Sequence, residues 1–221
     1  MDAPVLKQRE KLAGHIIKQL GKRKMAGSFV PTAAEAKAEV LRVLGLIEGP
    51  LSVIRCGSES VGNLGLWADI AAQPGVTLMD PYAPGLSKEE GAELRRQGLL
   101  ADVLVASSNA ITMDGRLVNL DGTGNRVAGM IFGPRKVILV VGMNKVAADV
   151  ESAKDRVRTF AAPANNMRLG EAYGLKNPCL EDGRCHQCMS ETRICNVWSI
   201  IEGSAVKDRI HVVLVGEDLG Y

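Results

Sequence analysis

The chain has 221 residues, with 27 Lys and Arg against 25 Asp and Glu, 46% hydrophobic residues and 24% charged ones. This balance describes an ordinary globular protein with enough apolar residues to bury a core, and it excludes a mini-protein that depends on disulfides to fold. A net charge of +2 and an aromatic content of 4% argue against a nucleic-acid partner, because neither a strong positive field nor stacking platforms are at hand. The run beginning Met1-Asp2-Ala3-Pro4 turns polar without an apolar signal core, and the longest apolar run, Val137 to Val141, falls far short of the roughly 20 residues that span a bilayer. A cytoplasmic location with no membrane span is therefore expected, where thiols stay reduced.

In chain order, residues 4–25 read as a charged helix with Leu12, Ile16, Ile17 and Leu20 on its apolar stripe. This stripe is too thin to stand alone, so it packs on the main domain or on a second copy of the chain, which leaves a homodimer open. The basic group Lys18 and Lys22 to Lys24 reads as a solvated helix face. Thr32 to Glu35 is a capping-box signature opening a helix with Ala36, Val40, Leu41, Leu44 and Ile47 on one side. Ser87 to Glu90 repeats that signature before a helix ended by Gly98. Continuous apolar runs at 51–55, 76–79, 103–106, 137–141 and 210–215 predict strands buried on both faces. Asp114-Gly115 marks a hairpin turn before Leu117 to Leu120. The expected fold is α/β, a mostly parallel sheet sandwiched by helices with an inserted hairpin and a C-terminal Cys loop. The expected organisation is a helical arm at 1–28 and a single α/β domain at 29–221, with the Cys loop at 177–196.

Ligands of such a sheet gather at the carboxyl ends of its strands. The loops expected there are 55–60, 107–110, 121–126 and 142–145. Their Gly-Ser and Asp-Gly-x-Gly turns leave backbone N–H groups free for an anion, although none matches a dinucleotide or P-loop fingerprint. Lys145 and Asn144 follow the strongest strand, where an ammonium could hold a carboxylate or phosphate. Asp121, Asn125 and Arg126 combine a carboxylate, an amide and a guanidinium on one glycine turn. Arg126 is suited to clamp a 2-hydroxy or 2-oxo acid, and Asp121 to act as a general base. Equally, Asp121 and Arg126 could simply pair to hold the loop. Cys56 reads as a small buried hydrophobe, and His15 and His211 as structural residues.

Four of the five cysteines form C-x5-C-x2-C-x6-C: Cys179, Cys185, Cys188 and Cys195. Four thiolates on one loop suit either a structural zinc or an iron–sulfur cluster. Zinc ribbons commonly pair two C-x2-C knuckles, and this loop has one, between Cys185 and Cys188. The spacing is similar to the [4Fe-4S] loop of glycosylases resembling endonuclease III, with the outer gaps exchanged, and this tilts the reading toward [4Fe-4S]. Arg184, His186 and Arg193 flank the thiols, where positive charge could raise a cluster's potential. The loop is expected to lie outside the strand-end loops of the sheet.

The chain closely resembles the lactate utilisation (LUD) domain family. The resembling runs include 29–32, 57–60, 109–112, 117–126, 130–134, 140–145, 161–163 and 209–217, with 118–126 the most specific. The resemblance implies a fold similar to the glucosamine-phosphate isomerase, ribose-phosphate isomerase and CoA-transferase group, in the context of lactate oxidation to pyruvate. The Cys loop is similar to that of a Cys-rich, single-domain branch.

The expected site is then Asp121 and Lys145 as catalytic groups, with Gly57, Ser58, Asn109, Gly122, Gly124, Asn125, Arg126 and Asn144 binding substrate. One reading is an iron–sulfur component of lactate or organic-acid oxidation that binds a small acid and passes electrons to a partner protein. The other is an isomerase- or CoA-transferase-like domain acting on a phosphorylated or CoA-linked metabolite, with Glu59 as a candidate nucleophile and a purely structural zinc loop.

Overall fold

The computed structural model describes residues 2–221. The chain begins with α1 (Ala3–Lys22), β1 (Ala26–Val30), α2 (Ala33–Leu44), β2 (Leu51–Arg55), the short helices α3 (Glu59–Gly62) and α4 (Leu66–Ala71), and β3 (Val76–Met79). It continues through α5 (Lys88–Gln97), β4 (Val103–Ala106), β5 (Ala110–Thr112), β6 (Leu117–Asp121), α6 (Asn125–Ile131) and β7 (Lys136–Gly142). The last third holds β8 (Val146–Ala147), α7 (Val150–Arg156), α8 (Ala162–Tyr173), α9 (Cys179–Asp182), β9 (Val197–Ile201) and β10 (Ile210–Val215).

Six strands form one sheet in the order β1-β10-β7-β4-β2-β3, with every neighbouring pair parallel. The apolar runs predicted as strands supply five of these, and their continuity has the expected cause. Along β7, Val137, Leu139 and Val141 face one core layer while Ile138 and Val140 face the other. The first layer also takes Ile16 and Leu20 of α1, so the apolar stripe of that helix packs on the core. The second takes Ala36, Val40 and Leu44 of α2, whose Thr32 cap accepts a hydrogen bond from the Glu35 N–H at 3.3 Å. Ser87 and Glu90 make the full reciprocal capping box on α5.

Two features differ from the sequence reading. β1 was not among the predicted strands, because Ala26-Gly27-Ser28 carries little apolar signal; as an edge strand it is half-buried along its whole length. The hairpin of β5 and β6 is not an isolated insertion. It forms a second sheet in the order β8-β5-β6-β9, and β9, the segment just after the Cys loop, pairs antiparallel with β6. Ile111, Leu117 and Ile201 of this sheet pack on the main core, while Ala110 and Val118 pack on Ala153 and Val157. The chain thereby brings residues 121 and 197 into register at one end of the second sheet.

Candidate active site at the strand ends

The carboxyl ends of β2, β4, β6 and β7 open onto one cavity of about 450 Å³. Of the residues expected to bind substrate, Gly57, Ser58, Asn109, Gly122, Asn125 and Arg126 line it, together with Asp121 and Lys145. Two do not. Asn144 is engaged with the C-terminal tail, accepting from the Leu219 N–H at 3.2 Å and donating to the Gly220 carbonyl at 3.2 Å. Gly124 instead opens α6 in a left-handed conformation, φ 87°, that other residues adopt only under strain, and it donates its N–H to Asp121 at 2.8 Å.

Arg126 is the framework of this end of the sheet. Its Nε bonds Asp121 at 3.1 Å. Its terminal nitrogens bond the Ser107 carbonyl, Asn119 Oδ1, Asn109 Oδ1 and the Leu120 carbonyl at 2.8 to 3.2 Å. A guanidinium has five N–H donors, and all five are engaged. The geometry therefore favours the pairing reading over the clamp: the Arg126 fork has no donor left for a substrate carboxylate. Both Asp121 oxygens are likewise occupied, by Gly124 N–H and by Arg126.

Lys145 is different. It is 3% exposed, and its Nζ lies 2.7 Å from Ser60 Oγ and 3.1 Å from Ser107 Oγ. Among the described residues it has no carboxylate partner, whereas the other cavity cations do: Arg126 with Asp121, Arg168 with Glu59 at 3.1 Å, and Arg55 with Asp80 at 2.7 Å. Burial, with Arg156 and Arg126 nearby, pushes the Lys145 amine down to about 7.

The remaining wall was not legible in the sequence. Asn165, Arg168, Leu169 and Tyr173 come from α8, which enters through a π-helical turn over Val157–Ala161; such turns are frequent at functional sites. Arg55 lies between the rings of Trp67 and Tyr82, 5.3 and 5.6 Å from their centroids, and Tyr82 Oη accepts from the Gly57 N–H at 3.1 Å. Cys56 is buried beneath this loop and its thiol is pushed up to about 12 by burial, as suits a small core hydrophobe. His211 pairs with Ser28 at 3.0 Å on the far edge and serves the fold.

The four loop cysteines border a second, small cavity of about 20 Å³, with Ala162, Pro163 and Asn166 of α8 on its other side. Burial raises the Cys179 thiol, and Cys188, Cys195 and Cys185 raise it further. Arg193 straps the loop, donating to the Cys195 carbonyl at 2.8 Å and the Cys188 carbonyl at 2.6 Å. His186 is held by Asp182 at 3.0 Å, and Arg184 bonds the same carboxylate, which lies well below its ordinary range mainly through the Arg184 N–H. The expectation that this loop lies outside the strand-end loops is corrected here. Ile194 lines the large cavity while its neighbour Cys195 lines the small one. The Asn196 N–H donates to the Asp121 carbonyl at 2.8 Å, and Asn196 Nδ2 to the Gly122 carbonyl at 3.1 Å. Gly122 makes a close approach at this seam, where a Cβ would sit 3.2 Å from the Ile194 carbonyl oxygen. The two cavities are back to back across Ile194 and α8.

An open parallel sheet with a polar cavity at its carboxyl edge, a buried lysine in that cavity and four thiols around a second, small cavity describe an α/β protein. Residues 13–215 match the model of the LUD domain, and the chain belongs to that family, which is related to lactate utilisation. Nothing among curated proteins matches it. A solved structure described as a DUF162 family protein, from Deinococcus radiodurans, is similar over 94% of this chain and 98% of that one, at 17% identity and a TM-score of 0.49. Among the described residues, no helix is long and apolar enough to cross a membrane.

Proposed function

We propose that this LUD-domain protein is an iron–sulfur component of organic-acid oxidation that binds a small carboxylate in the strand-end cavity. The observation that carries the reading is the shared wall: Ile194 faces the large cavity, and Cys195 faces the four-thiol cavity behind it. A cluster seated there would lie next to the acid with which it exchanges electrons.

The donor set fits a [4Fe-4S] cluster held by Cys179, Cys185, Cys188 and Cys195. The four thiols border one common space, and a cluster takes one thiolate at each corner. When bound, the cluster would supply or accept single electrons at the cavity wall.

The protein's own residues prepare the cavity for an acid. Arg126, held by five bonds, fixes loops 107–109 and 119–121 as a rigid floor. Arg168 reaches the cavity from α8, where a carboxylate can compete with Glu59 for it. Ser58 and Asn125 add polar contacts at the rim. Lys145 lies in the cavity wall with Ser60 and Ser107. Metal and acid-labile sulfide analysis of anaerobically purified protein tests the reading. Iron and sulfide in equal amounts, with a visible band that bleaches on reduction, are expected; zinc without sulfide would leave a structural loop and overturn the redox role.

A further inference from the structure

We infer that Lys145 is an imine-forming lysine, and that the cavity takes 2-oxo acids covalently through its ε-amino group. This rests on the organic-acid reading of the same cavity and goes beyond it, since binding alone requires no bond to the lysine.

Ser60 Oγ directs its proton to the Leu219 carbonyl at 3.2 Å, and Ser107 Oγ directs its own to the Ser108 carbonyl at 3.2 Å. Both hydroxyls are thus acceptors toward Lys145 Nζ, at 2.7 and 3.1 Å. A neutral amine has two N–H bonds and one lone pair. Two hydroxyl acceptors satisfy both N–H bonds and leave the lone pair unengaged, the arrangement a nucleophilic nitrogen needs.

Charge points the same way. A lysine meant to stay an ammonium in a buried site is normally given a carboxylate. Among the described residues, each arginine of the cavity has one and Lys145 has none. The charged groups facing it are cations, Arg126 from α6 and Arg156 from α7, and burial adds to their effect. Arg156 is itself fixed, donating to the carbonyls of Asn144 at 3.0 Å and Asn109 at 2.9 Å, so the field it exerts on Lys145 is permanent.

The covalent step balances without any further reactant. The lysine lone pair forms the N–C bond to the 2-oxo carbon as the carbonyl π pair moves to oxygen. One nitrogen proton reaches that oxygen, giving a carbinolamine. The C–O bond then breaks, the nitrogen pair forms C=N, and the second nitrogen proton leaves with the oxygen as water. No electrons are gained or lost. Ser60 and Ser107, which hold those two N–H bonds, are placed to relay both protons.

The test uses the complete protein with pyruvate as the probe and cyanoborohydride as the trap, read by intact mass and peptide mapping. One reduced adduct per chain is expected, on the peptide carrying Lys145. At pH 7 an amine titrating near 7 is about half neutral, and an ordinary lysine on the order of a thousandfold less so. Labelling of Lys145 should therefore exceed that of the other lysines by at least about tenfold after allowing for its lower basicity. Lactate, which has no carbonyl, should protect without labelling, and mapping of the wild-type chain locates the site even where Lys145→Met fails to fold. If calorimetry shows pyruvate binding while Lys145 labels no faster than the other lysines, the imine is wrong and the acid site stands. If neither pyruvate nor lactate binds, both readings fall.

Discussion

Replacing Arg126 separates a framework guanidinium from a substrate clamp. Arg126→Ala removes five hydrogen bonds at once and leaves Asp121, whose side chain is 8% exposed, as a buried carboxylate without its cation. Breaking one side of a buried ion pair costs about 3–5 kcal/mol. With about 2–4 °C per kcal/mol for a chain of this size, Tm should fall by roughly 6–20 °C. Double replacement, Arg126→Leu with Asp121→Leu, removes the orphaned charge and should restore part of that loss. Differential scanning calorimetry with urea denaturation measures both. A loss under about 1 kcal/mol accompanied by weaker carboxylate binding would refute the framework role, because it would mean that the guanidinium was free for a ligand.

Lys145→Met should stabilise the protein at neutral pH by up to about 4 kcal/mol, since the depressed amine takes up a proton in the unfolded chain that it resists in the folded one. The sign follows from that difference: between about 7 and the ordinary lysine value the unfolded state binds more protons, so the wild type gains stability as pH rises. The advantage of the variant should shrink toward pH 10, and urea midpoints of the two proteins that run parallel from pH 7 to 10 would contradict it. Arg168→Ala should raise the Kd for small carboxylates roughly five- to twentyfold with little change in Tm, because its pair with Glu59 is a third exposed on both sides. Gly142→Ala should cost about 1–3 kcal/mol, because the added Cβ would meet Asn144 Oδ1 and lie 2.6 Å from the Leu219 nitrogen and 2.9 Å from the Glu217 carbonyl oxygen. Thermal denaturation checks it. Cys188→Ser should abolish iron and sulfide retention while leaving the far-UV spectrum unchanged, since the main cores lie away from the loop.

The central strands were readable because a strand buried on both faces is apolar along nearly its whole length, as β7 and β10 are apart from Lys136 and His211. β1 and β9 were not, since an edge strand such as Ala26–Val30 and a partly exposed one such as Val197–Ile201 lack that run. The polar loops at the strand ends were readable from their glycine turns, and Asp121, Arg126 and Lys145 do come together. Their roles were not. That Arg126 is saturated and that Lys145 has no carboxylate partner among the described residues are properties of groups distant in the chain, from Ser60 to Leu120. Arg168 and Asn165 look like ordinary helix surface in the sequence, and only the path of α8 brings them to the cavity. The Cys pattern announced a four-thiolate loop. Its seat against the cavity depends on Asn196 meeting Asp121 and Gly122, a contact across some 75 residues that no local pattern encodes.

The coupling of acid site and thiol loop is tested most directly by electron paramagnetic resonance of the anaerobic, dithionite-reduced protein with and without saturating lactate. A cluster signal that shifts or sharpens when the acid binds is expected, because Ile194 and Cys195 are consecutive residues on the two sides of one wall. A signal indifferent to an acid that calorimetry shows to be bound would contradict it, as would the absence of any cluster signal from a protein loaded with zinc.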